Sequence, residues 1–354
     1  MGQIINPDMV TLARESRGYS QSKLATKIGI AQGTISKIEM GLFTPDEKLL
    51  DQFSHVLEYP KSLFFEEGHI YPPVSTQYRK KSSILKKSIQ KQVEASANFI
   101  TRHIQKLLKS VDLEPAKAIL NICLEDSHAK PQDVARLVRM NWKLPRGPIA
   151  NLTKVLEDVG IIIVPLDFGT DLIDGFRLNI DSSFNVIFVN KSLPGCRLRF
   201  TLAHELGHLV MHTLPTDLNQ IELEANLFAS EFLMPKDDIC YQIDSKTDIA
   251  RLADLKKYWK TSMQAILYAA KRMSLISENR YKYLIIQMGE LGYRKHEPID
   301  IPFETPTLLK NLLKVHLSEL GFSASELAHS LNILEQDLRR IYFEQPSFRL
   351  LTNN

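Results

Sequence analysis

The sequence predicts a mostly helical α+β protein. An N-terminal helix-turn-helix domain is followed by a core around a small antiparallel sheet, and then by a C-terminal helical module. Three observations carry that prediction. Short helical segments punctuated by Gly18, Gly29 and Gly41 open the chain. His204-Glu205-Leu206-Gly207-His208 lies inside a proline-free apolar run. Residues 321–341 repeat the pattern of residues 18–38 at an offset of 303.

With 354 residues the chain is long enough for two or three domains. Its 44% apolar and 24% charged content is that of an ordinary globular protein. No apolar run reaches the length of a membrane span, and the N-terminus lacks the basic-then-apolar order of a signal peptide. Cys123, Cys196 and Cys240 are odd in number and widely spaced, which fits reduced thiols in a cytoplasm and not a disulfide framework. The expectation is a cytoplasmic protein with no membrane partner.

In the first domain, placed at residues 1–69, residues 7–17 read as a helix with Pro7 near its start, ended by Gly18. Residues 20–28 form a second, capped by Ser20, and Gly29 supplies the turn into a third over 31–39. Leu24, Ala25, Ile28, Ile30, Ile35 and Ile38 supply a small shared core. Such a helix-turn-helix sends its third helix into a major groove. Gln32, Thr34, Ser36 and Lys37 lie on that helix as candidate DNA contacts. A glutamine there can bond an adenine through two bonds, and a lysine can reach a guanine edge or a phosphate. Gln21, opening the second helix, is placed to touch a phosphate. The segment resembles the Xre/λ-repressor family through Ser20-Gln21-x-x-Leu24-Ala25, Gly29, Gln32-x-x-Ile35-Ser36 and Ile38-Glu39-x-Gly41. The implied partner is a double-stranded DNA operator. Residues 42–65 read as two further short helices completing a five-helix domain.

Residues 70–145 read as a basic helical linker region. Between 71 and 110, nine Lys and Arg stand against one acid, Glu94, which can follow DNA phosphates or simply form a solvated face. Residues 133–140 read as another helix.

The core domain is placed at 146–275. An amphipathic helix over 148–159 precedes strands at 161–166, from 174, and at 185–190, expected as a largely antiparallel sheet with an edge that can hold an extended peptide. In the following helix His204 and His208 are four apart, so two imidazoles share one face. Glu205 sits about 100° round, where a carboxylate can meet metal-bound water. That is the arrangement of a zinc hydrolase, with two imidazoles, a third protein ligand and an open position. His212 is two turns from His204, about 12 Å, too far to share the same ion, and is read as supporting. The third ligand is sought on a helix over 221–235. Its face at 222, 225, 226, 229 and 233 pairs Glu222 with Ala225 and Ala229, small enough for close approach. Asn226 is placed to orient a ligand. Glu224 is expected on the opposite side with Gln220 and Glu231, and Glu222 is preferred to it.

Arg197-x-Arg199-Phe200-Thr201-x-Ala203-His204-Glu205-Leu206-Gly207-His208, with Glu222-x-x-Ala225-Asn226-x-Phe228-Ala229 and Phe232-Leu233-Met234-Pro235, resembles the ImmA/IrrE family of metallopeptidases. The resemblance implies a zincin-like core with Zn²⁺ held by His204, His208 and Glu222 and with Glu205 as base. It also implies a protein substrate, a helix-turn-helix repressor whose cleavage derepresses stress-response or mobile-element genes. The rival reading is a regulator whose zinc site is structural or sensory; an intact Glu205 favours the enzyme.

In the C-terminal module, 276–354, Leu327, Ala328, Leu338 and Ile341 keep the helix-turn-helix pattern, while Glu335 replaces Gln32 and Asp337 adds a second acid. Carboxylates at a helix start are repelled by phosphate. The module is read as a packing or dimerising unit and not as a second reader, which leaves a homodimer open.

Overall fold

The computed structural model describes residues 4–74, 85–112, 114–122, 124, 129–178, 184–212 and 217–343. The first domain begins with α1 (Pro7–Ser16), α2 (Gln21–Ile28), α3 (Gln32–Glu39) and α4 (Glu47–Leu57), and a 3-10 turn at Lys61–Phe65 completes it. Asn6, Ser20 and Asp46 cap α1, α2 and α4 through side-chain oxygens, which satisfies amides that have no partner inside the helix. Gly29 ends α2 at φ 81°, a left-handed conformation that costs glycine nothing. Met9, Leu24, Ile35, Ile38, Phe53 and Phe64 fill the core.

A long helix, α5 (Lys87–Leu107), is apolar on two sides. Ala95, Phe99 and Leu107 enter the core of the first domain, whereas Val93, Ala97, Ile100 and Ile104 pack against the sheet. Arg102 and Lys106 pair with Glu66 at 3.1 and 2.7 Å, and Lys91 pairs with Glu15 at 2.6 Å. The stretch 70–145, expected as a basic linker, thus supplies a spine to two cores, and three of its cations are neutralised by the first domain's own carboxylates. Arg79, Lys80 and Lys81 lie outside the described residues. Further along, α6 (Pro131–Asn141) and the fully buried Trp142 belong to the third core.

After α7 (Leu152–Glu157), shorter than the expected 148–159, come β1 (Ile161–Leu166), β2 (Gly175–Phe176) and β3 (Asn185–Asn190) in the order β1-β3-β2. The expected antiparallel sheet is corrected here. β1 and β3 pair in parallel over six residues, Ile161 with Asn185 to Leu166 with Asn190, and only the two-residue β2 is antiparallel. Parallel strands need cover on both faces. Ile161, Ile163, Ile187 and Val189 meet the core that contains Trp142, and Ile162, Val164, Val186 and Phe188 meet α5.

The chain continues through α8 (Gly195–Met211), α9 (Leu218–Leu233), the single turn α10 (Lys236–Ile239), α11 (Ile249–Trp259), α12 (Met263–Arg272) and α13 (Glu278–Glu290). It ends in α14 (Leu308–Ser318), α15 (Ala324–Leu331) and α16 (Glu335–Tyr342). These last three reproduce α1–α3: α15 and α16 begin and end 303 positions after α2 and α3. Asn332, left-handed at φ 59°, takes the place of Gly29, a conformation asparagine tolerates. The module packs on the chain's own first domain, with Leu313, Leu327, Leu331 and Leu338 in the same core. Asp337 is buried there between Arg17 at 2.8 Å and Arg340 at 2.6 Å, and Glu335 is paired with Arg339. Of the two acids in the repeat, Asp337 docks it on the first domain. Among the described residues no helix is long and apolar enough to cross a membrane, and Cys196 and Cys240 are free.

Candidate functional site

In α8, Leu198, Leu202, Leu206 and Val210 bury one side, which leaves His204 and His208 facing another element. That element is α9. Gly207 permits the contact: a Cβ added there would stand 3.1 Å from Phe228 Cδ1 and 3.3 Å from Ala225 Cα. The small Ala225 reciprocates, and Glu222, one turn earlier, is carried over the imidazoles.

The three side chains are buried and converge. His204 Nε2 and His208 Nε2 are 3.1 Å apart, Glu222 Oε2 is 3.3 Å from the first and Oε1 is 3.6 Å from the second. Ligands about 2.1 Å from a tetrahedral ion stand about 3.4 Å from one another. The observed spacings bracket that value. Among the described residues this His-His-Glu set is the cluster with metal-ligand geometry.

Hydrogen bonds set both imidazoles in the tautomer a metal needs. Asn226 Oδ1 lies 3.1 Å from His204 Nδ1, so that nitrogen carries the proton and Nε2 keeps its lone pair. Glu224 Oε2, an acceptor, lies 3.0 Å from His212 Nε2. His212 Nδ1 is then the acceptor for His208 Nδ1–H at 3.0 Å, which frees His208 Nε2. Burial pushes His208 well below the ordinary imidazole value, reinforced by electrostatic interaction with its neighbours His204, Arg177 and His212. Burial also lowers His212, against the opposing pull of Glu224.

The structure therefore brings His204, His208 and Glu222 together and places Glu224 on His212. The expectation that Glu224 projects away with Glu231 is corrected. The end of α8 runs far enough beside α9 for His212 to meet Glu224, while Glu231 pairs with Arg136 at 2.8 Å. Glu205 is 2% exposed, and its Oε2 accepts from Arg177 Nε at 3.1 Å. Arg177 follows β2, and nothing in its sequence spacing points to Glu205. Neither its role nor that of Glu224 was legible.

On the first domain, Gln32 and Lys37 are exposed and Thr34 and Ser36 half-buried. Gln32 Nε2 donates to Gln21 Oε1 at 2.8 Å, and Gln21 Nε2 donates to Glu39 Oε2 at 2.7 Å. Arg14 holds Glu39 in turn. The two candidate glutamines thus form one amide relay on the open face of α3.

Residues 11–64 match the helix-turn-helix family, and residues 156–271 match the IrrE N-terminal-like domain family. The chain joins a helix-turn-helix domain to an IrrE N-terminal-like domain. Within the curated proteins, the radiation response metalloprotease IrrE of Deinococcus radiodurans is 33% identical over 103 residues. That match covers 25% of this chain and 31% of the relative, so the chain spans under a third of that protein. The metal-ligand cluster falls wholly inside the IrrE N-terminal-like domain, and the amide relay inside the helix-turn-helix domain. Each of the two clusters therefore lies in a segment that resembles one of these families.

Proposed function

We propose that this chain is a cytoplasmic DNA-binding regulator whose second domain is a zinc endopeptidase acting on another protein, a helix-turn-helix repressor, to derepress genes. The observation that carries the reading is the spacing of the His204, His208 and Glu222 donor atoms, with a buried carboxylate, Glu205, beside them and outside the set. A purely structural site has no use for that extra carboxylate. Zinc, when bound by His204, His208 and Glu222, supplies a Lewis acid and lowers the pKa of a coordinated water to about 7. Asn226 and His212 hold the imidazoles in register. Arg177 anchors Glu205 through Oε2, which leaves Oε1 to take a proton from the attacking water and return it to the leaving amide nitrogen. On DNA, Gln21 orients Gln32 for an adenine edge, with Thr34, Ser36 and Lys37 following along the groove.

Glu205→Gln tests the reading. Glutamine keeps the size but cannot take the proton at neutral pH. Metal content and fold are expected to survive, and cleavage of the partner repressor, followed on a gel, is expected to fall about 10²–10⁴-fold, the usual contribution of a positioned base. Equal control of the target gene by both proteins with the partner intact would instead favour a regulator with a structural or sensory metal.

A further inference from the structure

β2 lies at the end of the sheet, and its outer edge is taken. The Asp174 carbonyl accepts from Asn190 at 2.8 Å and Phe176 pairs with Phe188, so alternate residues, Gly175 and Arg177, turn their backbone groups away from β3. On that outer edge Val74 N–H donates to the Arg177 carbonyl at 2.9 Å, and Pro73 pairs antiparallel with Leu178. The side chain of the same Arg177 holds Glu205. One residue therefore carries both the strand bond and the contact to the candidate base.

The direction matters as well. Asp174 pairs with Arg197 at 2.7 Å and Arg177 with Glu205 at 3.1 Å, so β2 runs alongside α8 in the same sense. An extended peptide antiparallel to β2 passes the metal-ligand cluster from the Glu205 end toward the Arg197 end. Pro73 and Val74 run in that sense. Val74 is 38% exposed, so no core holds it there. The backbone bond and a clamp just before it help to seat it: Tyr71 N–H donates to Asn98 Oδ1 at 2.7 Å, and Asn98 Nδ2 donates to the Tyr71 carbonyl at 3.1 Å. Asn98 is fully buried on α5. Pro72 and Pro73 are stiff and extended, suited to an edge strand that asks for a single donor.

We propose that residues 71–74, which leave the helix-turn-helix domain, are a tethered strand on the peptide-binding edge beside Glu205, and that a peptide substrate must displace them. The inference rests on the peptidase reading and names a regulation of that same site. A tethered strand acts at an effective concentration of about millimolar, so peptide at micromolar concentration competes poorly with it.

Val74→Pro removes the Val74 N–H that donates to Arg177 and touches no core. The test compares the full-length, zinc-loaded Glu205→Gln chain with the same chain carrying Val74→Pro. The probe is a fluorescently labelled, C-terminally amidated hexapeptide with the sequence of residues 69–74, and the readout is anisotropy. Vacating the edge is expected to tighten binding at least tenfold, and the hexapeptide N-methylated at its valine is expected to bind neither chain. Equal binding by the two chains overturns the proposal. Should Val74→Pro fail to fold, hydrogen exchange at the Val74 amide of the unaltered chain decides: exchange at least tenfold slower than in unstructured peptide supports the strand, and free exchange overturns it. Neither measurement needs turnover. A repressor left intact by the wild-type chain, alongside tightened hexapeptide binding, removes the peptidase reading and keeps the tethered strand; repressor cleavage with unchanged hexapeptide binding does the reverse.

Discussion

Protonating His103 is expected to destabilise the unit formed by the first domain, α5 and the C-terminal module. The imidazole is 2% exposed on α5, and its Nδ1 lies 2.6 Å from the Tyr342 hydroxyl of α16. Burial, then the charges of Lys106 and Arg102, lower His103 from 6.5 to about 3. Burial also pushes Tyr342 upward, so its hydroxyl keeps its proton and donates to a neutral imidazole. The folded value lies below the unfolded one, so the unfolded chain binds the proton first as pH falls. The stabilisation is complete above about pH 6.5 and is lost progressively down to about pH 3. At about 1.4 kcal/mol per unit inside that window, a drop from pH 7.5 to 5.0 costs about 2 kcal/mol at this residue. Urea unfolding at the two pH values measures it, for the wild type and for His103→Gln, whose amide can accept from Tyr342 but does not titrate. Carboxylates add acid sensitivity to both proteins, so the difference between them is the readout. An identical loss in the two would refute the reasoning.

Metal content is expected to be lost in His204→Ala and His208→Ala and reduced in Glu222→Ala; Glu224→Ala, acting only through His212, should retain metal with affinity weaker by about 10–100-fold. Titration with zinc in the presence of a competing chelator checks this, and full loss in Glu224→Ala with retention in Glu222→Ala would reverse the ligand choice. Gln32→Ala is expected to lose about 1–3 kcal/mol at the cognate operator while non-specific binding barely changes. Equal loss on random DNA would assign Gln32 to phosphate contact or folding. Asp337→Ala is expected to cost about 2–3 kcal/mol, at or below the low end for a broken buried pair, because Arg17 keeps the Leu57 and Glu58 carbonyls. Glu335→Gln, which breaks only an exposed pair four residues apart, should change denaturation by no more than about 0.5 kcal/mol.

What the sequence determined by itself is local. Four-residue spacing on a helix puts His204 and His208 on one face whatever surrounds them, and capping serines with a left-handed residue close each helix-turn-helix, so both the first unit and its repeat were legible. The choice of Glu222 needed only a second helix with small residues beside it. The parallel pairing of β1 with β3 was not legible, because three apolar strands can be joined either way and the choice lies with what covers both faces. The tertiary structure also decided that the basic stretch contains a spine, because Arg102 and Lys106 meet Glu66 only after the first domain folds back on α5. It decided that Asp337 docks on Arg17, 320 residues away. Glu224 behind His212, Arg177 on Glu205 and Val74 on the Arg177 carbonyl belong to the same class. Each joins groups whose distance along the chain carries no periodic signal, so they meet only when whole elements pack and buried polar groups must find partners.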